Sequence, residues 1–219
     1  MARSDGNAIL TVIVAGVLLA AAVWISRSAY DATRDRIAMN ERARLVARLN
    51  SVLDPALLGR DLTTTRLAYT DAELLGSANP VDVFVITDRG RPVATVIASI
   101  APHGYNAPID LLVGIGADGR ISGVRAVRHR ETPGLGDMID RARSAWIDQF
   151  RGKALLDPPG GAWHVKQDEG QFDSITGATV TSRAVVAAVR NALLYFDQHR
   201  DDLYRAAAEA AATEHDPEP

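Results

Sequence analysis

Four short apolar runs lie between Val81 and Arg128, and turn residues separate them. Residues 81–87 are followed by Asp88-Arg89-Gly90-Arg91, a tight turn, and residues 92–100 read as the returning strand. After the loop His103-Gly104-Tyr105-Asn106-Ala107-Pro108 come a third run, 109–115, and a fourth, 121–128, joined through Asp118-Gly119. Strands linked by tight turns pair antiparallel, because a parallel pair needs a long crossover. The middle of the chain is therefore committed to an antiparallel sheet. Residues 61–79, upstream of it, are mixed and poorly patterned. Downstream, Met138, Ile139, Ala142, Trp146 and Phe150 predict a helix over 138–150, capped by Thr132 or Asp137. Residues 153–161 form a Pro-Gly loop and residues 163–166 a short strand. Val185, Val189, Ala192 and Leu193 predict a long helix over 181–212. The fold class is α+β, an antiparallel sheet flanked by helices.

The N-terminal part obeys a different constraint. Residues 8–25 are an uncharged run of 18 residues, about 27 Å of helix against a hydrocarbon core of roughly 30 Å. A cleaved signal peptide would use Ala20-Ala21-Ala22, but Val23-Trp24-Ile25 carries the apolar run past that site. The run reads as a single transmembrane anchor, with Trp24 at the interface. Arg3 precedes it, whereas Arg27, Arg34 and Arg36 follow. By the positive-inside rule alone the bulk of the chain would stay in the cytoplasm. Residues 26–60 read as a juxtamembrane helix that ends at Pro55, with Ile37, Leu45, Leu49 and Leu53 as buried positions. Residues 61–212 form one domain, and 213–219 a charged, disordered tail.

Composition excludes several chemistries. The chain has no cysteine, so it has no disulfide, cysteine-ligated iron–sulfur cluster, c-type haem attachment or cysteinyl flavin. The net charge of −3 and the scarcity of aromatics speak against a nucleic-acid partner. None of the five histidines pairs at metal-ligand spacing, so no metal site is expected. His129 reads as a hydrogen-bond partner that fixes its loop.

Two stretches carry chemistry. Asp173-Ser174-Ile175-Thr176-Gly177-Ala178-Thr179-Val180-Thr181-Ser182 places hydroxyls and small residues where the last helix begins. Thr181 or Ser182 would serve as a plain N-cap there. Alternatively, the unpaired N–H groups and the dipole of the first turn would receive a phosphate. The second stretch is His129-Arg130-Glu131-Thr132-Pro133-Gly134-Leu135-Gly136, with a turn at Pro133-Gly134.

Both stretches resemble hallmarks of the FMN-binding family. That family includes the G subunit of the Rnf ion-translocating electron-transport complex and the C subunit of the sodium-translocating NADH:quinone reductase. The first stretch resembles its flavinylation motif, in which the threonine after Gly-Ala takes FMN as a phosphoester. The residue at that place is Thr179. The resemblance implies that Ser174, Thr176, Gly177, Ala178 and Thr181 surround the attachment point, and that Asp173 serves recognition by a separate flavin transferase using FAD and Mg²⁺. The second stretch resembles the loop lining the flavin pocket. There Glu131 and Thr132 would bond the ribityl chain or ring edge. Gly134 and Gly136 would let the backbone reach the ring, and Leu135 would offer an apolar surface. Gly104-Tyr105 before the third strand resembles the family as well.

The resemblance also implies a membrane-anchored electron-relay subunit, with its domain on the outer, periplasmic face of an inner membrane. It would work with other membrane subunits of an Rnf-type complex that couples ferredoxin and NAD chemistry to ion movement. The resemblance thus opposes the charge-based orientation. The sequence has no Gly-x-Gly-x-x-Gly fingerprint opening a βαβ unit, so NAD would bind elsewhere. The chain reads as a redox subunit with no catalytic residues of its own rather than as an independent enzyme. The quinone-reductase subunit and a stand-alone flavin reductase are the alternatives.

Overall fold

The computed structural model describes residues 4–60 and 62–214; the side chains of residues 4–13, 29, 31–38, 160 and 214 lie outside the described set. The chain divides into two compact units, Met1–Ala47 and Arg48–Pro219. The first unit belongs to helix α1, Ser4–Asn50. Val17, Leu18, Leu19, Val23, Trp24 and Ile25 are all more than half exposed on it. Among the described residues no helix is long and apolar enough to cross a membrane. The expected anchor falls partly outside that set. Residues 8–13 of the uncharged run have no described side chains, and the remainder, 14–25, rises only about 18 Å. Ile37 lies outside the described side chains too. Leu45 is exposed rather than buried as expected.

The second unit is a five-stranded antiparallel meander with the order β1-β2-β3-β4-β5. Its strands are β1 Leu62–Asp71, β2 Ser77–Asp88, β3 Arg91–Ala101, β4 Ile109–Gly116 and β5 Ile121–Arg128. The hairpin turns fall where the sequence puts them. Arg89 and Gly90 both have positive φ, 52° and 76°, as the two-residue turn matching strand twist requires. The first strand is the one the sequence does not mark. It pairs with β2 from Leu62↔Asp88 to Asp71↔Ser77, and its residues alternate between partly buried and exposed.

Both faces of the sheet are covered, which is why Val83-Phe84-Val85-Ile86 is buried throughout. Val83 and Val85 face the main core, shared with helix α2, Thr179–Glu214. That helix contributes Val185, Val189, Ala192, Phe196, Leu203 and Ala207, an apolar stripe at three-to-four spacing. The valines, the phenylalanine and the leucine of this stripe each contribute on the order of 1.5–3 kcal/mol when fully buried. Tyr195 closes this core against Tyr69, with ring centroids 6.3 Å apart. Burial, aided by the neighbouring Tyr69 and Asp71, pushes its hydroxyl up to about 12, so it packs without titrating.

Phe84, Ile86, Ala94 and Val96 face the other way, against Leu49, Val52 and Leu53. Here Gly114 and Gly123 stand opposite one another on β4 and β5. A Cβ on Gly123 would lie 3.0 Å from the Val52 Cα, so the glycine pair lets the incoming chain lie directly on the sheet. The Ser122 hydroxyl fastens it there, donating to the Val52 carbonyl at 2.6 Å.

Two expected helices are different. The α-helix ends at Asn50, and Pro55 opens a short 3₁₀ turn, Pro55–Leu57, capped by Asp54. Residues 138–150 are not one helix but two 3₁₀ turns, Gly136–Ile139 and Trp146–Phe150. Side chains take the backbone groups in between. Asp140 accepts from the Ala142 N–H at 2.9 Å, and the Ser144 hydroxyl accepts from Trp146 N–H while donating to the Met138 carbonyl. Such local bonds compete with the helical ladder. Residues 163–166 form no strand, only an isolated bridge, Val165↔Phe172. Thr213 and Glu214, expected in the tail, belong to α2.

Candidate functional site

Two tight turns face each other between β5 and α2. In the first, the Leu135 N–H donates to the Thr132 carbonyl at 3.2 Å. Pro133 and Gly134 are its central residues, and Gly134 has φ of 79°. Proline presets the first position and glycine supplies the positive φ of the second, the type II arrangement. The second turn repeats this plan. The Ala178 N–H donates to the Ile175 carbonyl at 2.9 Å, and Gly177 has φ of 78°. The turns meet where a Cβ on Gly177 would lie 3.1 Å from Leu135 Cδ2. Asp137, expected as a cap, instead holds the first turn by accepting from the Gly134 N–H at 2.7 Å.

Glu131 lies behind this pair of turns and is only 5 % exposed. One carboxylate oxygen accepts from the buried Thr181 hydroxyl, and the other from the Asn106 N–H at 3.2 Å. Asn106 in turn donates its amide to the Arg130 carbonyl and to the Thr132 hydroxyl. A Cβ on Gly136 would come within 2.8 Å of the Glu131 carboxylate, and one on Gly104 within 3.0 Å. Gly136 thus makes room for the buried acid, while Gly104 is required first by its own loop, where a Cβ would lie 2.1 Å from the Ala107 carbonyl oxygen. His129 accepts from the Glu131 N–H through Nδ1 at 3.4 Å, a long bond that helps to orient the loop.

The start of α2 is not capped in the expected way. The helix begins at Thr179, so Thr181 and Ser182 already lie in its first turn. The Ser182 hydroxyl bridges the Ile175 N–H and the Ala178 carbonyl, 3.0 Å from each, and Thr181 is committed to Glu131. Among the described residues, no acceptor meets the N–H groups of Thr179, Val180 or Thr181. These three donors, with the positive end of the helix dipole, form an anion-receptive terminus.

A cavity of about 460 Å³ opens at this terminus, lined by Tyr105, Glu131, Thr132, Leu135, Gly136 and Gly177 to Thr181. Its size is that of a ligand pocket. Tyr105, Leu135 and Val180 leave exposed apolar surface around it. Nine of the sequence-predicted site residues are therefore brought together on one cavity. Ser174 and Thr176 do not line it, and neither does Asp173. Asp173 is exposed and pairs with Lys166 at 2.6 Å. Nearby, a two-point hydrogen bond from Arg183 holds the Asp168 carboxyl below its ordinary range and ties that loop to α2. Sequence inspection overlooks Asn106, because its partners lie 24 to 26 residues away. It also overlooks Val180, although it directly follows Thr179.

Residues 104–194 match the model of the FMN-binding domain family. The chain is 41 % identical over 172 residues to the G subunit of the ion-translocating oxidoreductase complex of Shewanella baltica, covering 78 % of this chain and 81 % of the relative. It is 43 % identical over 182 residues to the corresponding G subunit of Pseudomonas aeruginosa, covering 83 % and 85 %. A third relative, the G subunit of Vibrio parahaemolyticus, is 41 % identical over 171 residues. The chain belongs to the G-subunit family of ion-translocating oxidoreductase complexes. In this family member the matched FMN-binding region begins at Gly104, in the loop before β4. It runs through both turns and into the packed part of α2, so it contains the whole cavity lining.

Proposed function

We propose that this chain carries FMN joined through its phosphate to Thr179, and relays electrons within a membrane-bound, Rnf-type ion-translocating complex. One observation supports the attachment point above all. Of the hydroxyl residues in the 174–182 segment, Ser174 and Thr176 stand off the cavity, and Thr181 and Ser182 are buried and engaged. Thr179 lines the cavity, and among the described residues its hydroxyl has no bond. The surroundings fit the group. The free amides of the first turn suit a phosphate. Thr132 suits the ribityl hydroxyls or the ring edge, and Leu135 with Tyr105 offers apolar cover.

When bound, FMN supplies one- and two-electron redox chemistry at its ring. The chain's own residues hold the phosphate at the helix terminus and keep Glu131 committed behind the cavity. A covalent bond suits a relay, because a flavin that dissociates would be diluted away. The half-exposed apolar residues of α1, with residues 8–13 upstream, suit a membrane anchor. We place the domain on the outer face of the inner membrane, as its resemblance to the family implies, and assign its maturation to a separate flavin transferase.

In a host lacking its own copy, the wild-type chain should restore ferredoxin-linked NAD turnover by the membrane complex, and Thr179→Val should not. Full turnover with the variant would leave the flavin without a role in electron flow. For the anchor, a chain lacking residues 8–25 should be recovered in the soluble fraction after alkaline carbonate washing, while the full chain stays with the membranes. Release of the full chain would contradict the anchor.

A further inference from the structure

The Asp173–Thr176 segment is fastened by its backbone while its polar side chains stand off the cavity. The Trp146 ring N–H donates to the Asp173 carbonyl at 2.7 Å. Gln149 accepts from the Asp173 N–H at 2.8 Å and donates to the same carbonyl at 3.4 Å. Two residues on, the buried Ser182 hydroxyl takes the Ile175 N–H. The clamp rests on a firm base. Trp146 meets Phe150 edge-on at 5.7 Å, Phe150 stacks on Phe172 at 5.0 Å, and Phe172 lies 4.7 Å from Trp163. The last three rings are fully buried.

Asp173 and Thr176 nevertheless remain exposed. Among the described residues the carboxylate of Asp173 meets only Lys166, in an ion pair open to solvent on both sides. Such a pair contributes little, so an incoming cation can replace it. Neither Asp173 nor Thr176 touches the cavity. Fixing the backbone beneath these outward side chains therefore does nothing for the cavity itself, and suits a macromolecule that reads them from outside.

We infer that Trp146 and Gln149 are positioning residues for maturation: they present Asp173 and Thr176 as a preformed epitope to the flavin transferase. This rests on the proposed attachment at Thr179. In that step the Thr179 oxygen bonds to the FMN-side phosphorus of FAD and the bond from that phosphorus to the bridging oxygen breaks. AMP leaves with the bridging oxygen, and the hydroxyl proton passes to a base of the transferase. Neither Trp146 nor Gln149 takes part in the bond changes. Their effect is to reduce the ordering that docking must supply.

The test is the rate of flavin incorporation into the full chain by purified transferase with FAD and Mg²⁺. The double variant Trp146→Phe/Gln149→Leu removes all three bonds and keeps apolar bulk. It should load about tenfold more slowly at limiting acceptor concentration and recover at saturating acceptor, with an unchanged melting temperature. Should the double variant melt earlier, Trp146→Phe alone should still load several-fold more slowly while melting like the wild type. Equal loading rates for the wild type and a variant that melts normally would overturn the clamp while leaving Thr179 as the acceptor. Failure of the wild type itself to load would instead overturn the Thr179 assignment.

Discussion

Thr179→Val should yield a folded domain that shows no flavin fluorescence on a denaturing gel, where the wild type shows a bright band. Valine reproduces the shape of threonine and removes only the hydroxyl. That hydroxyl makes no hydrogen bond among the described residues, and Thr179 is the first residue of α2. The expected cost to folding is therefore small, within about 1 kcal/mol, readable as a nearly unchanged melting curve. No neighbour can substitute. Thr181 is bound to the buried Glu131, Ser182 bridges two backbone groups, and Thr176 lies outside the cavity. Thr179→Ser keeps an acceptor oxygen and should retain fluorescence. A fluorescent band from the valine variant would mean that another residue carries the group.

The second large effect concerns Glu131. Replacing it with leucine leaves the Thr181 hydroxyl and the Asn106 N–H without their acceptor, and Thr181 is only 1 % exposed. An orphaned buried polar group costs about 1–3 kcal/mol, so Glu131→Leu should lower stability by roughly 2–3 kcal/mol before any change in packing. Urea unfolding of the flavin-free domain checks this, as a lower midpoint at an unchanged slope. Glu131→Gln keeps one acceptor oxygen and should lose about half as much. If leucine is as stable as the wild type, the buried acid does not hold the cavity wall. The glycine at 136 would then need another explanation.

Much of this architecture is legible in the residues because punctuation sits where the strands end. Arg89-Gly90 and Asp118-Gly119 close hairpins on sequence evidence alone, and the apolar runs between them become β2 to β5. The first strand is hidden for the opposite reason. Thr63-Thr64-Thr65 and the alternation of Leu67 with Tyr69 are strand-like, but the sheet edge leaves them half covered and no turn pair announces them. The false helix over 138–150 has the correct apolar spacing. It fails because Asp140 and Ser144 claim the backbone groups that a helix needs.

The site divides in the same way. Thr179, Gly177 and the Glu131–Gly136 loop stand out because their chemistry is local. The true start of α2, ahead of both proposed caps, is not legible, and Thr181 turns to an acid 50 residues upstream instead of capping the helix. The orienting role of Asn106 and the Trp146–Gln149 clamp arise only when the chain has folded.

Intact-mass measurement of the chain made alongside the flavin transferase bears most directly on the covalent flavin. The mature protein should exceed its amino-acid mass by one FMN less one water, and peptide mapping should place the increment on Thr179. A mature chain with the mass of its amino acids alone, or an increment on any other residue, would contradict it.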